Sequence, residues 1–333
     1  MALIVTILSL LTNINYAIHV RFWKVRPYAS FDAETDAKIL RKAMKGLGTD
    51  EKAIVDVLCN RSNEQRIQIK MMFKTSYGKD LIKELKSELG GRFEDVVVAL
   101  MEKPSDYDAI CLQKALSGAG TDEDCLIEVM CTRSNAEIQA VKDSYKKLFH
   151  RDLEKELMSD TSGHFKRLMV ALSAGGRNEA QQLDRAKAER DARALYNAGE
   201  KKWGTDESSF NQVLCSQSFD QLRLVFEEYQ KMSNKSMEKV IKSEMSGDLK
   251  DGMLAIVKSA QNVHAFFAEM LYKSMKGAGT KDNQLIRIVV SRCEVDMVEI
   301  KQEFQRAYGK TLESFIQGDC SGDYKKALLA LVS

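Results

Sequence analysis

A turn and an acid recur at a fixed distance four times along this chain. The turns are "KGLGTDE", "SGAGTDE", "KWGTDE" and "KGAGTKD", with their threonines at Thr49, Thr121, Thr205 and Thr280. The acids stand in "KSELGG", "MSDTSG", "KSEMSG" and "QGDCSG": Glu88, Asp160, Glu244 and Asp319, each 39 residues beyond its threonine. The threonines themselves are 72, 84 and 75 residues apart, so the connections drift while the turn-to-acid interval does not. Such a chain folds as an array of similar repeats, and the fixed interval predicts that turn and acid meet in space. A glycine also follows three positions after every acid, at Gly91, Gly163, Gly247 and Gly322.

Between these landmarks the apolar pattern has helical period. "FDAETDAKILRKAM" puts Ala37, Leu40 and Met44 on one face, and "TDEKAIVDVLCN" starts a second helix at an N-cap Thr49, with Ile54, Val55 and Leu58 inward. "SNEQRIQIKMMFKTSYG" gives a third helix closed by Gly78. "KDLIKELKSEL" buries Leu81, Ile82, Leu85 and Leu89, and "RFEDVVVALME" adds Phe93, Val96, Val97 and Leu100. Five short helices per repeat, four times over, predict an all-α protein, and prolines only at 27 and 104 leave the helices uninterrupted. The expected divisions are a tail at 1–31, repeats at 32–102 and 103–174, a linker at 175–186, and repeats at 187–259 and 260–333. The charged stretch "AGGRNEAQQLDRAKAERDARAL" reads as solvated linker and helix face.

A net charge of +2 supplies no field for nucleic acid or a bare anionic membrane, so an anionic partner needs a bridge. Seven cysteines form no CxxC pair and read as buried, reduced thiols; four scattered histidines lack zinc-ligand spacing. Residues 2–11 are apolar like a signal-peptide core, with "NYA" ending at Ala17 as the cleavage candidate, but no basic residue precedes them. They are also shorter than the ~20 residues of a membrane span. A variable cytosolic tail is the expectation, with secretion as the alternative.

Glycines at 46 and 48 permit a backbone that turns carbonyl oxygens toward one point. Several carbonyls and one carboxylate suit Ca²⁺, which takes about 6–8 oxygens in irregular geometry, better than Mg²⁺. Positions left over would go to water or to a partner's phosphate. No EF-hand run, no GxxxxGK loop and no convergent Ser/His/Asp set occurs, so neither an enzyme nor a small-molecule substrate is expected.

These loops, the acid 39 residues on, and four repeats of about 70 residues resemble the annexins over residues 32 to 333. The resemblance implies a curved disc of four five-helix repeats that binds acidic phospholipid through calcium on its convex face. Carried over, the first site would use main-chain oxygens of Met44, Gly46 and Gly48 with the Glu88 carboxylate. The second would use Leu116, Gly118, Gly120 and Asp160, and the fourth Met275, Gly277, Gly279 and Asp319. In the third repeat Lys202 and Trp203 break the pattern and the loop looks one residue longer, which implies Gly199, Lys202, Gly204 and Glu244. Thr49 with Glu51, and Leu89 with Glu94, resemble weaker accessory metal sites; Lys281 puts the fourth repeat's equivalent in doubt. Trp203 is the expected membrane contact, and localisation is cytoplasmic and peripheral at membranes when calcium rises. Self-association on membranes is a further expectation; the alternatives to membrane binding are a calcium channel or conductance regulator, with Arg133, Arg287 and Asp108 near a polar centre, and a soluble helical scaffold. Inter-helix salt bridging is the preferred role of those three residues.

Overall fold

The computed structural model describes residues 23–46, 48–118, 120–180, 182–199 and 204–333. Among them are 19 helices and no strand, apart from a bridge between Gly118 and Gly120. The first repeat folds as α1 (Ala33–Ala43), α2 (Glu51–Leu58), α3 (Asn63–Tyr77), α4 (Leu81–Glu88) and α5 (Gly91–Leu100). The second follows as α6 (Pro104–Leu116), α7 (Glu123–Thr132), α8 (Asn135–Phe149), α9 (Leu153–Asp160) and α10 (Gly163–Ser173). The third has α11 (Arg185–Ala198), α12 (Glu207–Ser216), α13 (Phe219–Ser233) and α14 (Met237–Glu244), then runs through α15 (Gly247–Met275) into the fourth. There α16 (Asp282–Arg292), α17 (Met297–Tyr308), α18 (Leu312–Asp319) and α19 (Gly322–Val332) complete the chain. The long α15 is broken at Asn262, whose backbone is extended and whose side chain accepts from Ala265 N at 3.0 Å, capping the helix that restarts there.

Caps set the helix ends. Ser62 and Ser134 form capping boxes with Gln65 and Glu137, and Gly78 closes α3 at a left-handed φ of 67°. The start of α2 differs from expectation: its N-cap is Asp50, which accepts from Ala53 N at 3.0 Å. Thr49 is unavailable for that task because its hydroxyl points at Glu88. Asp122 and Asp206 cap α7 and α12 in the same way, each worth about 1 kcal/mol. In the core of the first repeat Leu40, Ile54, Leu58, Phe73, Val96 and Leu100 are fully buried. Ile82 and Leu89 are only half-buried, because α4 turns Leu81 and Leu85 inward and Leu89 has already left the helix.

The helices gather into two compact bodies: Met1–Pro104 with Phe267–Ser333, and Ser105–Phe266. In the first body Arg66, almost wholly buried, donates to the carbonyls of Leu58, Arg61 and Leu100 and pairs with Glu294 at 2.5 Å. Glu294 also accepts from Asn63 N at 2.8 Å, so one carboxylate ties the fourth repeat to the first. A strap crosses the same body: Lys24 N and Val25 N donate to Cys293 O at 3.0 and 2.9 Å, and Val25 is buried. Tyr28 exchanges main-chain bonds with the Gln65 side chain at 2.9 and 3.0 Å. A chain starting at Ser30 is therefore expected to be less stable than one starting at Trp23 by about 2 kcal/mol, the worth of one buried valine; paired urea denaturation curves check this.

In the second body the linker is less solvated than its charges suggest. Arg177 donates to Leu214 O at 2.9 Å and Gln217 O at 2.6 Å and lies 4.7 Å from the Phe219 ring, while its own carbonyl accepts from Asn135 Nδ2 at 2.7 Å. Burial pulls its guanidinium below the usual range. Arg133 grips Asp108 through two bonds of 2.7 and 2.9 Å, the salt bridge expected of that pair. All seven thiols are free and all but Cys111 are buried, with burial pushing Cys59 and Cys293 up to about 12. No helix among the described residues is long and apolar enough to cross a membrane.

Candidate metal centre

Each turn is a loop pinned at its base. Asp50 N donates to Ala43 O at 2.9 Å, Asp122 N to Ala115 O at 3.0 Å and Lys281 N to Ser274 O at 2.7 Å, joining the end of one helix to the start of the next. In the third repeat Asp206 N reaches Ala198 O at 2.8 Å across one residue more, the extra length expected there. Gly48, Gly120, Gly204 and Gly279 all have φ between 85° and 104°, a region costly for other residues. Space does not demand them, since a Cβ on Gly48, Gly204 or Gly279 would meet nothing within 4 Å. Gly46 and Gly277 share the positive φ; Gly118 does not, and bridges to Gly120 instead.

The distant acids arrive at these loops. Thr49 Oγ1 donates to Glu88 Oε2 at 3.2 Å, Thr205 Oγ1 to Glu244 Oε2 at 3.0 Å and Thr280 Oγ1 to Asp319 Oδ2. In the second repeat Thr121 Oγ1 meets the main-chain oxygen of Asp160 at 3.2 Å, while the Asp160 carboxylate accepts from Ser159. Turn and acid thus meet in all four repeats, with the carboxylate itself in three. Every acid is the last residue of its helix, the negative end of the helix dipole, where an anion is disfavoured by about 0.3–1 kcal/mol. A cation at the loop would relieve that repulsion. After the acid two residues run on, and Gly91, Gly163, Gly247 and Gly322 turn the chain at φ near 60° into the next helix. That turn is the reason for the recurrent glycine.

Met44, Leu116 and Met275 bury their side chains and leave only main chain at the loop, and Gly199 is the last capping residue of α11. Lys202 and Trp203 lie outside the described residues. Of the accessory set, Thr49 is engaged with Glu88, Glu51 opens α2, Leu89 is extended, and Glu94 lies half-buried in the first turn of α5. Among the described residues no three His, Cys, Asp or Glu side chains cluster as metal ligands.

Within the second body, a cleft of about 370 Å³ separates Asp160 from Glu244 and is also lined by Glu123, His164, Glu207 and Asp248. His164 Nε2 lies 3.7 Å from Glu207 there. The equivalent pair in the first body is Arg92 and Asp282, at 3.1 Å, with Asn283 accepting a further bond. Asp282 serves this tie, and α16 has no side-chain cap at Lys281.

The annexin family model matches this chain over residues 35–100, 107–172, 190–256 and 266–331. The chain belongs to the annexin family. Homo sapiens annexin A7 is 55% identical over 308 residues, covering 92% of this chain and 63% of its own length. Homo sapiens annexin A4 is 53% identical over 307 residues, covering 92% and 96%. The chain spans about three fifths of the length of annexin A7 and of the annexin A11 relatives that it also matches. Among solved annexins, annexin III superposes with a TM-score of 0.92 at 42% identity, covering 93% of this chain and 96% of that one. Calcium-bound annexin (Sm)1 gives 0.84 at 32% identity, covering 93% of both.

Proposed function

We propose that this annexin binds acidic phospholipid membranes when calcium fills its glycine loops. The observation that carries the reading is the meeting of turn and acid in every repeat. Membership of a family known for calcium-dependent phospholipid binding supports it, as does a calcium-bound annexin of the same fold. The donor set fits the ion: loop carbonyls and one carboxylate are hard oxygen ligands that suit irregular geometry. The ligands would be the main-chain oxygens of Met44, Gly46 and Gly48 with Glu88; of Leu116, Gly118 and Gly120 with Asp160; of Gly199, Lys202 and Gly204 with Glu244; and of Met275, Gly277 and Gly279 with Asp319. Bound calcium supplies positive charge that a +2 chain lacks, and a lipid phosphate completes its shell. The threonine hydroxyls hold the acids at the loops, and the buried side chains of Met44, Leu116 and Met275 anchor the loop bases. Several weak loops engaging one bilayer make binding steep in calcium.

Co-sedimentation with phosphatidylserine vesicles in calcium and in chelator tests the proposal; equal pelleting in both would end it. A second test uses Trp203 in a Trp23→Phe background. Calcium plus anionic vesicles is expected to shift its emission and expose it to lipid-borne quenchers, because an indole suits the interface, and Glu244→Gln is expected to blunt both effects. Unchanged emission in protein shown to be bound would remove Trp203 from the contact.

A further inference from the structure

Within the first body, a cleft of about 610 Å³ opens beside the fourth glycine loop, reaching from Met275 and Asp319 to Lys310, Thr311, Ser314 and Phe315. Its position on α18 differs from the equivalent helices of the other repeats in what borders it. The residue before each acid is Ser87, Ser159, Ser243 and Gly318 in turn. Each serine hydroxyl donates to a carbonyl three residues earlier, that of Glu84, Glu156 or Val240, at 2.8 to 2.9 Å. Gly318 has no such side chain, and a Cβ on it would meet nothing within 4 Å.

Charge differs as well. Four residues before the acid stand Glu84, Glu156, Val240 and Phe315, and nine before it Lys79, Arg151, Lys235 and Lys310. In the first two repeats this pair neutralises itself, Lys79 on Glu84 at 2.8 Å and Arg151 on Glu156 at 3.0 Å, and the helix opens on an anionic cap, Asp80 or Asp152. The third repeat has a neutral cap, Ser236, and buries Val240 in place of the acid. In the fourth the cap is Thr311, also neutral, and the acid is replaced by Phe315. The exposed Lys310 ammonium lies 6.0 Å from the Phe315 ring and makes no ion pair among the described residues. A second ammonium shares its situation: Lys276, next to Met275 in the loop, lies 5.2 Å from the Tyr272 ring, which meets Phe315 edge-on at 5.6 Å.

We propose that this cleft receives the phosphorylated headgroup of an inositol lipid, with one phosphate on calcium at the fourth loop and a second, a phosphomonoester, on Lys310 and Lys276. The proposal rests on the calcium reading above and names the lipid that the fourth loop prefers. Two cations without counter-ions border a cleft that is continuous with the proposed membrane-facing loop, so the missing anion belongs to the lipid. Lys310 and Asp319 bracket α18, whose eight residues span about 12 Å, so the two anionic groups have to be carried apart on a rigid spacer. An inositol ring is such a spacer, and Phe315 gives it an apolar wall. A phosphomonoester brings a charge of about −1.5 to −2 and three acceptor oxygens. Phosphatidylserine brings one carboxylate with an ammonium beside it, which the lysines repel.

The test uses the full chain at one calcium concentration and phosphatidylcholine vesicles that carry phosphatidylserine, phosphatidylinositol or phosphatidylinositol monophosphate at equal total charge. Binding to the monophosphate vesicles is expected to be about tenfold tighter than to either of the others, the worth of the added charge-assisted bonds. Lys310→Gln is expected to remove most of that preference while leaving phosphatidylserine binding unchanged. Thr311→Asp, which copies the first two repeats and caps a helix equally well, is expected to do the same. Wild type that binds phosphatidylserine vesicles without preferring the monophosphate, or variants that keep the preference, would overturn the cleft assignment alone. Wild type that binds no anionic vesicle in calcium would instead overturn the calcium reading, and this proposal with it. Soluble inositol bisphosphate bound as tightly without vesicles would overturn a lipid as the source of the headgroup.

Discussion

Replacing the four acids together, Glu88→Gln, Asp160→Asn, Glu244→Gln and Asp319→Asn, is expected to abolish calcium-dependent sedimentation with anionic vesicles. Each acid is the only formal charge in its proposed site, and loss of several weak sites multiplies through avidity, by about 10²–10⁴ overall. A single replacement is expected only to raise the calcium requirement. Stability is expected to hold or rise slightly, because a neutral amide at a helix C-terminus escapes the repulsion of about 0.3–1 kcal/mol felt by the carboxylate. Circular dichroism separates loss of binding from loss of fold. A quadruple variant that pellets at the wild-type calcium concentration would disprove the ligand assignment.

The second large effect belongs to Arg66. Arg66→Met strands the Glu294 carboxylate in a half-buried site and removes the donor from the Leu58, Arg61 and Leu100 carbonyls. Breaking one side of such a pair costs about 3–5 kcal/mol. Arg66→Met with Glu294→Leu is expected to recover part of that loss, since no lone charge remains. Urea denaturation of the three variants checks the order; a single-variant loss below about 1 kcal/mol would show that Arg66 is no keystone.

The repeat array, its helices and the meeting of turn and acid were all legible in the sequence, since helical period records which side chains are buried and a fixed interval records a contact. Legibility failed where one residue had two candidate tasks. Thr49 looked like an N-cap, but Asp50 caps while Thr49 holds the acid. The glycine after each acid was visible as a pattern without a reason, because its φ near 60° emerges only once the chain has left one helix and must enter the next. Ties between repeats carried no local mark. Arg66 and Glu294 stand 228 residues apart, and Arg177 sits in a stretch whose charges otherwise suit water.

The span from threonine to acid comprises three helices, α2 to α4 in the first repeat, ending in a hydrogen bond back to the threonine. One residue inserted inside α3 would rotate everything beyond it by about 100° and carry the acid away from its loop. For recombination, the exchangeable cassette is thus the stretch from glycine turn to carboxylate, not the repeat as a whole. Crossovers among homologous chains are harmless within it only when they conserve length to the residue, whereas the joints outside it accept unequal exchange.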